Sequence, residues 1–380
     1  MWYWGEALSS WARRVWYAAI TAIIIQSVWI GGGFGTGREI VEFIAKYGVY
    51  GGVAIITAAI VLVIATFLTL EVARKFKAYD YMTLSKQFLW KAWPIFDIAF
   101  IVMAWIVIAV VAAAAASILE DMAGIPYIAG AAIVVAVVGF LHFFGRRAME
   151  AFWVIGTIGL YIMYVVIWAI TLSAAWPKIT ENLVRGVASG SLSSALVDGF
   201  RYTMYNLLVL IPALQSVDRY RDYKDSIIAT IITSALVYGA ATIIWLCFMG
   251  FYPEIVPQPV PWYFVLKKIG IAWALGLYIF WIFYTLMETA LGMIYGLVRR
   301  ITAQLELRGR KLTRRHEALI AVVTLIIALV TAQAGIVALV AKGYGTMAWI
   351  FFVVFFIPLV TIGAYRLARP EWKREFWEKA

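Results

Sequence analysis

Runs of about twenty apolar residues, separated by short polar segments, recur from residue 14 to residue 367. A helix rising 1.5 Å per residue needs about 20 residues to cross roughly 30 Å of hydrocarbon. On that template the chain divides into ten spans, at approximately 14–46, 49–73, 94–119, 125–144, 150–175, 193–218, 226–250, 271–298, 316–341 and 344–367. The longest linkers, 74–93, 176–192, 251–270 and 299–315, are short. The pattern predicts an all-α integral membrane protein, a single transmembrane domain over 1–380.

Two spans are interrupted. The first is too long for a simple crossing and carries Gly31, Gly32, Gly33, Phe34, Gly35, Thr36 and Gly37 at its middle. Five glycines in seven residues cost a helix several kcal/mol, at about 1 kcal/mol each relative to alanine. Close helix packing through Gly33 and Gly37 is one explanation, but packing needs one face and these glycines cover all faces. A phosphate loop would need a lysine, and the third glycine of G-x-G-x-x-G, counted from Gly33, falls on Arg38. The remaining reading is an unwound point between two half-helices. The sixth span has Tyr205 and Asn206 followed by Pro212, whose ring clashes with the carbonyl of Leu208; a simple proline kink is the alternative. Unwound backbone survives at membrane depth only where protein or a wet cavity covers it. Spans one to five and six to ten form two sets of five, about 14–175 and 193–367, and an odd number per set inverts the second relative to the first. Interruptions in corresponding helices of inverted repeats point to a transporter binding site.

Composition narrows the class. The chain is 64% hydrophobic and 14% charged, with a mean hydropathy of +0.88, against roughly 45–50% and 25% in soluble domains; a soluble enzyme and a disordered chain are excluded. The net charge of +11 is a matter of topology. With the N-terminus inside, the segments around Arg13, Lys75, Arg146, Arg219, Arg308 and Arg369 hold 24 of the 32 Lys and Arg residues and the outer side holds 7. The positive-inside rule then puts both termini in the cytoplasm of a cell-membrane protein, with the lipid bilayer rather than nucleic acid as its surroundings. One cysteine, Cys247, and two distant histidines, His142 and His316, exclude a disulfide framework and make a zinc site unexpected. No cofactor is expected, and no cleavable signal peptide: the first apolar run follows Arg13 and Arg14 and continues into structure.

Ten spans broken at the first and sixth resemble the leucine-transporter fold of the amino acid–polyamine–organocation superfamily. In particular, Gly31 to Gly37 followed by Arg38, Glu39 and Ile40-Val41-Glu42-Phe43 resembles the first helix of the YkvI-like prokaryotic membrane proteins, whose motif reads roughly G-x-G-F-x-[ST]-G-x-E. The resemblance implies a transporter but no substrate. The lysine that some proton-coupled members carry in the fifth helix is missing from 150–175.

Ionisable groups at membrane depth are functional candidates by default. Arg38, Glu42 and Lys46 stand four apart and can pair along one helix face. Asp198 and Arg201 mirror them in the second repeat, so Arg38 with Asp198, or Glu39 with Arg201, would form an external gate. In span eight, Thr285 and Thr289 share a face with Glu288 beside it. The resemblance implies that these hydroxyls, with carbonyls near Val28 and Gly31, hold a Na⁺ ion; threonines of apolar helices also bond the carbonyl one turn back. Glu288 would carry H⁺ instead, since burial favours the neutral acid.

The sequence thus predicts a secondary active transporter, a cation-coupled symporter for a small solute such as an amino acid or related zwitterion, working by alternating access. The solute would lie against Gly31–Thr36, Tyr205 and Asn206, with its carboxylate at the positive end of the half-helix after Gly33. A solute sensor without transport is the alternative. An ATP-driven pump lacks its nucleotide domain, and an intramembrane enzyme lacks convergent catalytic groups.

Overall fold

The computed structural model describes residues 9–332, 345–372 and 377. Seven helices among them are long and apolar enough to cross a membrane: Ala45–Phe76, Tyr81–Glu120, Tyr127–Phe144, Arg146–Val184, Tyr223–Met249, Ala272–Glu306 and Gly345–Ala368. They coincide with predicted spans two to five, seven, eight and ten. Spans one and six are the interrupted ones. Span nine is described as Arg314–Thr331, and its predicted continuation through 333–341 lies outside the described residues.

Some boundaries differ from the sequence pattern. The linker 74–93 folds into a helix, Tyr81–Leu89, because Asp80 accepts the Thr83 N–H as an N-cap. A second linker helix, Pro261–Ile269, starts with proline at its first turn, where the missing N–H costs nothing. The fifth helix continues through Pro177 to Val184, beyond the predicted end at 175. π-helical stretches at Ala235–Gly239, Phe352–Phe356 and Leu359–Gly363 interrupt spans seven and ten.

The interior is built by pairing early elements with late ones. Ser10–Trp29 packs on Tyr223–Ser234, and Gly51–Phe76 on Leu192–Asn206; Trp93–Ala123 packs on Ala272–Leu307, and Tyr127–Phe144 on Arg314–Thr331. The outward faces carry large exposed aliphatic side chains, including Ile56, Ile98, Ile158, Ile162 and Ile231. Soluble monomers rarely expose so much contiguous apolar surface, and a bilayer covers it. The polar side chains sit inside instead. Gln26, Ser27, Thr157, Asn206, Thr285, Glu288 and Thr289 are all buried around the interrupted spans and helices five and eight, and Thr203 is buried against Ala58 and Tyr238 of spans two and seven.

Candidate functional site

The first interruption is a double one. The helix Ser10–Trp29 ends at Ile30, whose ψ of 64° leaves the helical range. A single turn, Gly32–Gly35, follows. Gly37 then takes a left-handed φ of 82°, which glycine adopts without strain, and a short helix, Arg38–Phe43, completes the span. Thr36 stitches the gap: its hydroxyl donates to the Gly33 carbonyl at 3.1 Å, while its own carbonyl accepts the Trp262 N–H.

The second interruption falls where Asn206 predicts it. Leu192–Asn206 is α-helical, and 3₁₀ turns at Leu207–Leu210 and Leu214–Arg219 carry the chain onward. Pro212 cannot donate to the Leu208 carbonyl, and the Ile211 N–H takes that acceptor at 3.1 Å. The Asn206 amide donates to the Tyr202 carbonyl of its own helix at 2.9 Å.

Between the two breaks lies a cavity of about 800 Å³. Of the residues singled out in the sequence, Val28, Gly31, Gly33, Thr36, Arg38, Glu39, Asp198, Arg201, Tyr205, Asn206 and Thr289 line it. Phe34 is instead fully buried in the core, and Gly35 is turned to Ile282 of span eight. Gly32 opens the single turn. The opposite wall is apolar and comes from Met103, Val107 and Val111 of the third helix and Met293 of the eighth, positions that read as ordinary core in the sequence.

The charges at the mouth pair differently from the sequence expectation. Arg38 does not reach Asp198; it binds Glu42 at 2.6 Å and donates to the carbonyls of Val256 and Gln258. Arg201 pairs with Asp198 at 2.8 Å rather than with Glu39. The bridge between the interrupted spans is Lys46 to Asp198, at 2.8 Å, reinforced by the Tyr47 hydroxyl at 2.7 Å. Local i,i+4 spacing assigned Lys46 to Glu42, a contact that also forms, at 3.2 Å. Glu39 points inward, between Gly33 and the hydroxyls of Tyr202 and Tyr205. Among the described residues no lysine or arginine forms an ion pair with it. Phe43 stacks on Tyr202 with ring centroids 5.4 Å apart and lies 5.6 Å from Tyr205, closing an aromatic layer across both breaks.

The coupling candidates separate into three environments. The Thr289 hydroxyl lies 3.1 Å from the Val28 carbonyl and 3.5 Å from that of Ser27, at the open end of the first half-helix. Thr285 is turned to its own helix and donates to the Ile282 carbonyl at 2.9 Å. Glu288 is fully buried and faces Gly156 of the fifth helix with Ser27 alongside. Among the described residues, no hydrogen bond of normal geometry satisfies either of its carboxylate oxygens. Next to it, Thr157 bonds Ser27 at 3.0 Å and Gln26 at 2.7 Å.

On the Lys/Arg-rich face the same elements are tied shut. Arg14 pairs with Asp222 at 2.8 Å and Asp225 at 2.9 Å. Arg146 pairs with Glu150 and Asp218, and Arg219 with Glu150, each at 2.8 Å. Below them Thr21 and Ser216 share a 2.6 Å hydrogen bond. Partial burial pushes the Asp222 carboxyl up, but the Lys224 N–H and the Arg14 guanidinium outweigh it and hold the group below the usual aspartate range.

No family model matches the chain, and no curated protein is significantly similar to it. Solved structures are similar in fold. MhsT in complex with L-phenylalanine superposes with a TM-score of 0.66 at 12% identity, over 94% of this chain and 90% of that one. A Na⁺-coupled sialic acid symporter in a substrate-bound outward-open state gives 0.64 at 12% identity, over 90% and 79%. Mhp1, a nucleobase-cation-symport-1 family transporter in a closed conformation, gives 0.63 at 14% identity, over 95% and 80%. The chain therefore has the leucine-transporter fold, an all-α membrane architecture with interrupted first and sixth spans.

Proposed function

We propose that the chain is a secondary active transporter, a cation-coupled symporter that moves a small solute by alternating access. The observation that carries this reading is the cavity between the two interruptions: it reaches a charged mouth on one side, while ion pairs and the Thr21–Ser216 bond close the other. Spans one, two, six and seven would rock against the rest, exchanging one closure for the other. The pairing of early with late elements supports two inverted five-span repeats within one domain of ten spans. The Lys/Arg bias supports a cell-membrane location with both termini cytoplasmic. The Gly31–Glu39 motif supports placement among the YkvI-like members of the amino acid–polyamine–organocation superfamily.

Na⁺ is the coupling ion favoured by the fold neighbours, one of them named as a Na⁺-coupled symporter. The residues that would hold it are Thr289 and the carbonyl ends at Ser27 and Val28, hard oxygen donors of low charge suited to a monovalent ion. Thr285 would join only after releasing the Ile282 carbonyl, and Glu288 is the group available to carry H⁺. An amino acid or related zwitterion fits a cavity with both charged and apolar walls. The test is uptake of labelled amino acids into proteoliposomes under an imposed Na⁺ or pH gradient. Accumulation driven by either gradient supports a symporter, whereas solute binding with no uptake makes the chain a sensor.

A further inference from the structure

The Glu39 carboxylate occupies the space beside Gly33. A Cβ at position 33 would collide with Oε1, Cδ and Cγ of Glu39 together. The backbone gap in which a solute carboxylate is expected is thus filled by the chain's own carboxylate. The helical pieces around it, four and six residues long, are also too short for a strong N-terminal dipole. Glu39 and Gly33 both line the cavity, as does Tyr205.

Among the described residues, the three cations of the lining, Arg38, Lys46 and Arg201, have other partners. Arg38 is held by Glu42 and two carbonyls, Lys46 by Glu42 and Asp198, and Arg201 by Asp198. Three cations thus share two carboxylates at the mouth, while Glu39 stands deeper with two tyrosine hydroxyls for company. The polarity runs negative at the bottom and positive at the mouth, and the facing wall of Met103, Val107, Val111 and Met293 is apolar.

We propose that Glu39 is the docking point for a solute ammonium group, so that the transported class is an amine-bearing solute with a short apolar body, bound amine-first between Glu39 and Tyr205. The assignment rests on the transporter reading for its biological sense, but it concerns binding alone.

Three molecules of nearly one shape decide it: L-leucine, isopentylamine (leucine without its carboxylate) and 4-methylpentanoate (leucine without its amine). Binding of each to the purified full chain in nanodiscs is measured by calorimetry. L-leucine and isopentylamine are expected to bind and 4-methylpentanoate to fail. Glu39→Gln is expected to weaken amine binding by roughly 10- to 100-fold, the range of a lost charge-assisted hydrogen bond, and Glu39→Asp to recover part of it. Binding of 4-methylpentanoate as tight as that of isopentylamine, unchanged amine affinity in Glu39→Gln, or no binding by any of the three overturns the assignment. If Glu39→Gln fails to fold, the comparison of the three solutes on the native chain decides alone. Amine binding without proteoliposome uptake would remove the transporter reading and leave this one standing; uptake of the carboxylate would do the reverse.

Discussion

Lys46 Nζ lies 2.8 Å from Asp198 Oδ2, joining the end of the first interrupted span to the start of the second. Asp198 also receives Arg201 and the Tyr47 hydroxyl, so a largely buried carboxylate collects three donors. Removing it takes from Arg201 its carboxylate and leaves Lys46 with Glu42 alone, whereas removing Lys46 leaves Asp198 still paired with Arg201. Asp198→Asn is therefore expected to cost about 3 kcal/mol of stability and Lys46→Met about 1 kcal/mol or less. Thermal unfolding of the two variants checks the order, and an equal or reversed ranking would show that the cluster is not organised around Asp198.

A Cβ at position 31 would stand 2.5 Å from Thr289 Oγ1. Gly31→Ala should displace the hydroxyl from the Val28 carbonyl, and Thr289→Ala should delete it. Both are expected to raise the Na⁺ concentration for half-maximal uptake about tenfold or more, equivalent to about 1.4 kcal/mol. Thr285→Ala should do less, because that hydroxyl bonds its own helix. The Na⁺ dependence of uptake for the three variants is the measurement; a Thr285 effect exceeding that of Thr289 would move the ion site.

Glu288→Gln keeps the shape of the side chain and removes the group proposed to carry a proton. Uptake driven by a pH gradient should disappear and Na⁺-driven uptake should persist within about threefold, given that no metal-ligating hydroxyl changes. Loss of both would mean that the carboxylate itself ligates Na⁺. Wild-type behaviour in both assays would leave Glu288 outside coupling.

The Arg14 seal should open on mutation and on acidification. With Cys247→Ser as background, a reporter at Thr21→Cys is shielded beneath the Arg14–Asp222 pair. Arg14→Ala is expected to speed its labelling by a polar thiol reagent applied from the Lys/Arg-rich face. The sign of the pH effect follows from Asp222, whose carboxyl is held low by the Lys224 N–H and Arg14 against the effect of burial. Its contribution is fully present above the ordinary aspartate value of about 3.9. It is lost as pH falls through the lower folded-state value, so labelling should accelerate only under strongly acidic conditions. Acceleration near neutrality would assign the seal to another group.

Much of this was legible along the chain because membrane spans are long one-dimensional signals. The glycine run and the Asn206–Pro212 segment also break helices for local reasons, and both breaks lie where those residues put them. Pairing across the fold is a different matter. Spacing rules see i,i+4 neighbours, and they assigned Lys46 to Glu42; its second partner, Asp198, is 152 positions away and only the packing of two helices brings it close. The same holds for Arg14 with Asp222. Thr285 and Thr289 share a helix face, yet only one hydroxyl meets the carbonyls of span one, because the half-helix ends at the level of Thr289. The apolar cavity wall of Met103, Val107 and Val111 carried no signal, since a methionine or valine facing a solute reads like one facing a neighbour.

The fit of Glu39 against Gly33 also constrains how this site can diverge. Position 33 cannot gain a side chain while Glu39 stays where it is. A side chain at 33 requires a shorter or retracted group at 39, and the deep charge then moves or vanishes. Relatives that keep the acid should keep the glycine, and relatives that gain a side chain at 33 should lose the acid in a correlated step. Such a lineage would have switched the class of solute it accepts, and the two columns of an alignment would record the event.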